Sequence, residues 1–294
     1  MNLKEYLAVR VARVDAALDY WVPAETVPPQ TIHRAMRYSL FAGGKRIRPV
    51  LCIGAAEALG VTLDGIEDAA CTIELIHTYS LIHDDLPALD NDDLRRGRPT
   101  NHVVFGEAIA ILAGDSLLTL AFEVLGKLPH AGDLVRARLV AELAAAAGTV
   151  GGMIGGQVHD IEGERQRPTA ELLEAIHRAK TGALLRASVR MGAIYAGAAP
   201  DQLDALSRFG EHTGLAFQIV DDVLDVEESS ETLGKTAGKD QAQRKITFPA
   251  VYGLDRSKAM AERERIAAHQ ALEPFGEAGH PLRELADFIV KRKA

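Results

Sequence analysis

Residues 215–226 read Leu-Ala-Phe-Gln-Ile-Val-Asp-Asp-Val-Leu-Asp-Val. The polar members, Gln218, Asp221, Asp222 and Asp225, recur at i, i+3, i+4 and i+7, so they share one face of an α-helix. Phe217, Ile219, Val220, Val223, Leu224 and Val226 cover the rest of its circumference. The spacing predicts a buried helix carrying an acidic stripe. Like charges one turn apart repel, more strongly in a low-dielectric interior, so the stripe must face water or a cation.

Outward from this segment the helical signal continues. Ala, Leu, Glu and Arg recur throughout, and no clear alternating run rich in Val, Ile and Thr interrupts them. Pro23, Pro28, Pro29, Gly43, Gly44, Pro87, Pro129, Pro168, Pro200, Pro249 and Pro274 punctuate the chain, with helices expected between them. Typical helix lengths then give roughly ten to fifteen helices. No Ser, Gly or Pro linker marks a boundary, so one all-α domain over residues 1–294 is expected. Residues 107–128 and 140–153 are apolar on more than one face, as helices at the centre of a bundle would be. Gly148, Gly151, Gly152, Gly155 and Gly156 fall in an expected helical stretch, where each costs about 1 kcal/mol against Ala. Close approach of another helix or of a ligand would compensate.

Composition narrows the class. With 47% hydrophobic and 25% charged residues, the chain can bury a full core and is neither disordered nor fibrous. A formal net charge of -8 argues against nucleic-acid binding as the main activity. Cys52 and Cys71 are too few for a disulfide framework and sit among apolar neighbours. No uninterrupted apolar run approaches the roughly 20 residues of a membrane span, and MNLKEYLAVRVARVD lacks a signal-peptide core. A soluble, cytoplasmic protein with no membrane span is the expectation.

A second acidic segment, SLIHDDLPALDNDDLRRG, occupies residues 80–97 after an apolar helical run. Asp84 and Asp85 end that helix. Continued as a helix, the chain would turn Asp90 about 120° away from Asp84, but Pro87 disfavours continuation, and a bend would return Asp90 to Asp84. A charged surface loop is the alternative. Basic groups lie elsewhere. GGKRIRP at residues 43–49 closes a helix on glycine and is expected to present Lys45, Arg46 and Arg48 in a loop. It lacks the spacing and preceding strand of a nucleotide P-loop. Lys180 precedes Thr181 and Gly182, while Lys235, Lys239 and Lys245 follow the Asp221 segment. Carboxylates without a Cys or His set favour a hard ion such as Mg²⁺, which completes its shell with phosphate oxygens and water. Two acidic helices and two basic groups therefore point to diphosphate binding through metal.

The ordered set of motifs resembles the trans-isoprenyl diphosphate synthases, nearest to their bacterial farnesyl diphosphate synthases (geranyltranstransferases). It comprises GGKRIRP at 43–49, Asp84-Asp85 with Asp90, Arg95-Arg96, Lys180-Thr181, Phe217-Gln218, Asp221-Asp222 with Asp225, and Gly234-Lys235 with Gly238 and Asp240. The resemblance covers nearly the whole chain. It implies antiparallel helices around a deep central cavity, a homodimer, and head-to-tail condensation of isopentenyl diphosphate with dimethylallyl and geranyl diphosphate to (2E,6E)-farnesyl diphosphate. It further implies three Mg²⁺ ions, two held by Asp84 and Asp90 with Asp85 aiding, and one by Asp221 with Asp225. Lys45, Arg48, His77 and Arg96 would bind isopentenyl diphosphate, and Arg95, Lys180 and Lys235 the allylic diphosphate. Lys180, Thr181 and Gln218 would lie along the allylic carbon chain.

Those residue types suit the chemistry. Departure of diphosphate leaves an allylic carbocation, so leaving-group charge must be stabilised most as the bond breaks. Oxygens of Gln218, Thr181 and Lys180 would face the cation in a dry cavity. By the same likeness the released diphosphate takes the proton. His83 is read as a packed histidine, with general base as the alternative. Tyr79 and Ser80, five and four residues before Asp84, lie about 7.5 and 6 Å down the helix and are the expected ruler of product length. Geranylgeranyl diphosphate synthase is the neighbouring alternative; a terpene cyclase and a noncatalytic helical partner subunit are more distant. The end VKRKA, residues 290–294, is a solvated helix terminus or a flap over the diphosphates.

Overall fold

Asn2 accepts a hydrogen bond from the Lys4 amide and so starts the first helix, α1 (Leu3–Trp21). The computed structural model describes residues 2–61, 64–163, 166–227 and 246–291. Helices α2 (Gln30–Leu40), α3 (Ile47–Ala58), α4 (Ile66–Asp84), α5 (Asn101–Phe105), α6 (Glu107–Lys127), α7 (Asp133–Ala147) and α8 (Met153–Gly163) follow. After α9 (Ala170–His177) comes a π-helical turn (Arg178–Gly182), and then α10 (Ala183–Tyr195), α11 (Pro200–Glu227), α12 (Phe248–Tyr252), α13 (Leu254–Ala271) and α14 (His280–Lys291). Among the described residues the only strands are the two-residue β1 (Leu94–Arg95) and β2 (Arg98–Pro99), paired antiparallel. The class is all-α, as the helical pattern predicts.

The helices gather into two compact units that interleave along the chain. One comprises residues 2–50 and 64–140. At its centre α4 is buried on most of its circumference, from Ile66, Ala69 and Ala70 through Ile73 and Ile76 to Tyr79 and Ile82. It packs against α6 and α1. The Trp21 indole donates to Asp68 Oδ1 at 2.8 Å and Arg13 pairs with Glu67 at 2.8 Å, tying α1 to the acidic first turn of α4. That acidic turn also suits the positive end of the helix dipole. Gly114 lets α6 come close, since a Cβ there would stand 2.1 Å from His83 Nε2. By length and composition alone α6 is apolar enough to cross a membrane, although Asp115 and Glu123 interrupt its apolar run. Its Ala110, Ala113, Leu117, Ala121 and Val124 are nevertheless buried, while Ile111 and Leu112 remain exposed.

The other unit comprises residues 51–63 and 141–294. Here α11 packs against α10 and α13. Arg190 on α10 binds Glu142 through Nε at 2.6 Å and Ser207 on α11 through Nη1 at 2.6 Å. Gly192 meets Cys52, and a Cβ at that glycine would stand 1.9 Å from the Cys52 carbonyl oxygen. The continuous helix expected across 140–153 is broken. α7 ends at Ala147, and Gly151 adopts φ +68°, a left-handed conformation that halts a helix at little cost to glycine. Of the five glycines there, only Gly155 and Gly156 are helical. Gly156 is explained by close packing: its Cβ would stand 2.2 Å from the Lys180 backbone nitrogen.

Candidate active site

In the first unit, His77, Ser80, Leu81 and Asp84 are the half-exposed residues of the last turns of α4, together with His83. The first four lie at i, i+3, i+4 and i+7, one stripe on an otherwise buried helix. The chain turns at Pro87, and the Asp90 amide donates to the Asp84 carbonyl at 2.8 Å, so the bend does return Asp90 to Asp84. Asp92 donates likewise to the Asp85 carbonyl at 3.1 Å. Asp85 itself is buried and gripped by Arg95, whose Nε lies 2.8 Å and Nη2 2.6 Å from Oδ1. The short β1–β2 hairpin aims the two arginines apart. Arg95 goes to Asp85, while Arg96, at φ +53°, donates to the Gly43 carbonyl. Gly44 permits that approach, because a Cβ there would stand 2.8 Å from Arg96 Nη1.

Arg46 departs from its expected place in a basic loop. It is 4% exposed and donates to Asp15 at 2.9 Å, Glu74 at 2.9 Å and the Leu40 carbonyl at 2.7 Å. Burial opposes its charge, but the Glu74 and Asp15 carboxylates outweigh that, so its pKa rises. Arg48 lies in the first turn of α3, not in a loop, and Lys45 is exposed in the preceding turn. His77 lies among these cations. Its burial and then the charges of Arg48, Arg96, Arg95 and Arg46 hold it well below the usual imidazole range, so it is neutral. His83 packs as expected of a structural histidine, its Nε2 3.0 Å from the Ile111 carbonyl and its ring edge-on to Tyr79.

In the second unit the acidic stripe of α11 divides. Gln218 and Asp221 are half-exposed, whereas Asp222 and Asp225 are buried. Thr181 Oγ donates to Gln218 Oε1 at 2.8 Å, and Gln218 Nε2 donates to Asp222 Oδ1 at 2.7 Å. The Phe248 amide donates to Asp222 Oδ2 at 2.9 Å, with His177 Nε2 3.5 Å from the same oxygen. Burial drives the His177 pKa down to about 4, and its ring stacks on Phe248. Lys180 pairs with Asp160 of α8 at 2.6 Å. Lys180 and Thr181 lie in the π-helical turn, an irregularity frequent at functional sites. Asp160 and His177 were missed by sequence reading. Asp160 stands two residues before Glu162 on a glycine-rich helix and His177 three residues before Lys180, with no motif to single out either one.

Lys235, Lys239 and Lys245 lie outside the described residues, as do 292–294 of the terminal segment. Among the described residues no three His, Cys, Asp or Glu side chains converge as a ready-made metal cluster. The donors present at each acidic segment are carboxylate oxygens. That set fits Mg²⁺, which takes one or two carboxylates and leaves the rest of its shell to phosphate and water. A cavity of about 480 Å³ in this unit is lined by Ala146, Gly155, Ala179, Gly182 and Arg186 among others, and by none of the expected site residues.

The family described as polyprenyl synthetase matches residues 29–274. The large subunit 1 of the heterodimeric geranylgeranyl pyrophosphate synthase of Arabidopsis thaliana chloroplasts is 49% identical over 300 residues, covering 99% of this chain and 80% of that protein. A dimethylallyltranstransferase of Fischerella ambigua is 48% identical over 295 residues, covering 99% and 84%. The crystal structure of an FPP/GFPP synthase from Zymomonas mobilis superposes with a TM-score of 0.87 at 36% identity, covering 98% of this chain and 99% of that one.

Proposed function

The chain belongs to the polyprenyl synthetase family, that of the trans-isoprenyl diphosphate synthases, and from that premise we propose that it condenses isopentenyl diphosphate with an allylic diphosphate, head to tail. The observation that carries this reading is the return of the Asp90 backbone to that of Asp84 at the end of the α4 stripe, with both residues half-exposed. Asp84 and Asp90, and Asp221 with Asp225, are the proposed ligands of Mg²⁺ on the allylic diphosphate. When bound, the ions would neutralise the leaving diphosphate. Lys180 and Arg95, with Lys235, hold that group; both Lys180 and Arg95 are already oriented by acids, Asp160 and Asp85. Lys45, Arg48, Arg96 and neutral His77 hold isopentenyl diphosphate. The allylic carbon–oxygen bond breaks, the isopentenyl double bond attacks the cation, and the proton lost goes to the released diphosphate.

The twenty-carbon geranylgeranyl diphosphate is the proposed end product, on the strength of the plant relative's name. Tyr79 favours the fifteen-carbon product as a second reading: it is a bulky aromatic, 5% exposed, just over one turn before Asp84. A homodimer in the cytoplasm completes the proposal. The test is to incubate purified protein with Mg²⁺, isopentenyl diphosphate and dimethylallyl, geranyl or farnesyl diphosphate, and to measure product length. Chain extension that EDTA abolishes is expected. Cyclised products, no extension with any primer, or extension that survives strong chelation would overturn the reading.

A further inference from the structure

Resting on that reading, we propose that Asp222 is a positioning residue that fixes the direction of a hydrogen-bond relay ending at Thr181, so that Thr181 presents lone pairs, not a proton, to the allylic carbon. The relay has three members. Asp222 is 4% or less exposed, at 3%, and accepts from the Gln218 amide nitrogen at 2.7 Å and the Phe248 backbone amide at 2.9 Å. Both oxygens of Asp222 thus accept, Oδ1 from the Gln218 side chain and Oδ2 from the backbone. The NH₂ end of Gln218 must therefore point at Asp222, which turns its oxygen toward Thr181 at 2.8 Å. That oxygen in turn claims the Thr181 hydroxyl proton. What remains on Thr181 Oγ is lone-pair density, polarised by the carboxylate two bonds away.

Such an arrangement suits an allylic cation for two reasons. The oxygen facing it is electron-rich, and it needs no reorganisation when charge develops. It also carries no outward proton that the departing diphosphate could draw into a competing bond. Replacing Asp222 by asparagine removes the constraint, because an amide can donate as well as accept. Gln218 is then free to turn over and Thr181 to rotate its proton outward. Asp222 acts in this way without touching metal or substrate.

Three measurements test it. D222N should lower kcat by about 10- to 100-fold with KM for both substrates within threefold and with Tm little changed. T181S, which keeps the hydroxyl, should retain more activity than T181V, which should fall as D222N does. In the double variant D222N/T181V the two losses should not multiply, since one relay has been cut twice. Multiplying losses would overturn the proposal, because the Asp222 substitution would then act by a route other than Thr181. A D222N enzyme with the parent's kcat, or one whose KM and Tm collapse with kcat, would overturn it equally. The third readout does not need turnover. In ¹⁵N-glutamine-labelled protein the Gln218 side-chain amide should show a downfield, slowly exchanging proton that D222N removes; an unchanged signal refutes the relay even if the parent extends no primer. Extension by the parent, with the relay absent, would leave the synthase reading standing by itself.

Discussion

Replacing Arg46 by methionine should unfold the protein more easily without weakening its grip on diphosphate. Arg46 sits between two cations assigned to isopentenyl diphosphate, Lys45 and Arg48, yet its side chain is only 3% exposed and its guanidinium spends its donors on Asp15, Glu74 and the Leu40 carbonyl. Methionine fills much of the arginine stem's volume, so the main loss is electrostatic. Glu74, whose side chain is 4% exposed, would be left with an uncompensated buried charge. Breaking a buried pair from one side costs about 3–5 kcal/mol. At about 2–4 °C per kcal/mol for a chain of this size, Tm should fall by about 6–20 °C. Arg46 also holds φ +49°, which adds a little backbone strain that glycine, but not methionine, would relieve. The assay is urea denaturation followed by circular dichroism, with KM for isopentenyl diphosphate measured in parallel. R46M/E74L should recover most of the loss, since a well-packed apolar pair is often as stable as the ion pair it replaces. A cost below about 1 kcal/mol for R46M, the upper end for an exposed ion pair, or a tenfold rise in that KM at unchanged Tm would refute the buried-pair assignment.

Other expectations concern pH, packing and product. Burial holds the His177 pKa at about 4, against about 6.5 unfolded. The unfolded chain therefore binds the extra proton first, and stability complete above pH 6.5 should fall by about 3 kcal/mol as pH drops toward 4. H177N should flatten that part of the stability profile, and an unaltered slope would exclude His177 as its source. G156A sets a methyl 2.2 Å from the Lys180 backbone; overpacking of about 1–3 kcal/mol should outweigh the helix-propensity gain of about 1 kcal/mol. A lower Tm and slower turnover are expected, and a stabilised variant would show that α8 and the π-helical turn are not in tight contact. Y79A should lengthen the product chain if Tyr79 is the floor, and S80F should shorten it; chromatography showing the parent distribution in both variants would remove these residues from that role.

Much of the fold was readable because its cues are local. Helix type follows from spacing, and Pro87 alone signalled the bend that brings Asp90 back to Asp84. The break after Ala147 was misread for a physical reason: Ala145, Ala146 and Ala147 propagate a helix, and only the conformation of Gly151 reveals that it stops.

The candidate site shows where local cues end. Asp221 and Asp222 are chemically identical neighbours separated by 100° on one helix, and nothing in the stripe distinguishes them. Packing does. The Phe248 amide and the Gln218 side chain occupy Asp222 from inside, leaving Asp221 on the half-exposed side. Arg46 and Arg48 pose the same problem, two positions apart in a basic run. Asp15 and Glu74 lie 31 and 28 residues from Arg46, and only their convergence converts it from a candidate ligand into a core ion pair. A motif thus identifies which residue types a site requires, while partners distant in sequence decide which copy is free to act. For that reason Arg46 should answer to stability, Asp85 and Asp222 to reactant positioning, and the half-exposed Asp84, Asp90 and Asp221, with Asp225 despite its burial, to metal concentration. Titrating Mg²⁺ against activity in D84N and D222N separates the two: a raised Mg²⁺ requirement in D84N alone is expected, and an equal rise in both would mean that Asp222 shares the metal role of Asp84.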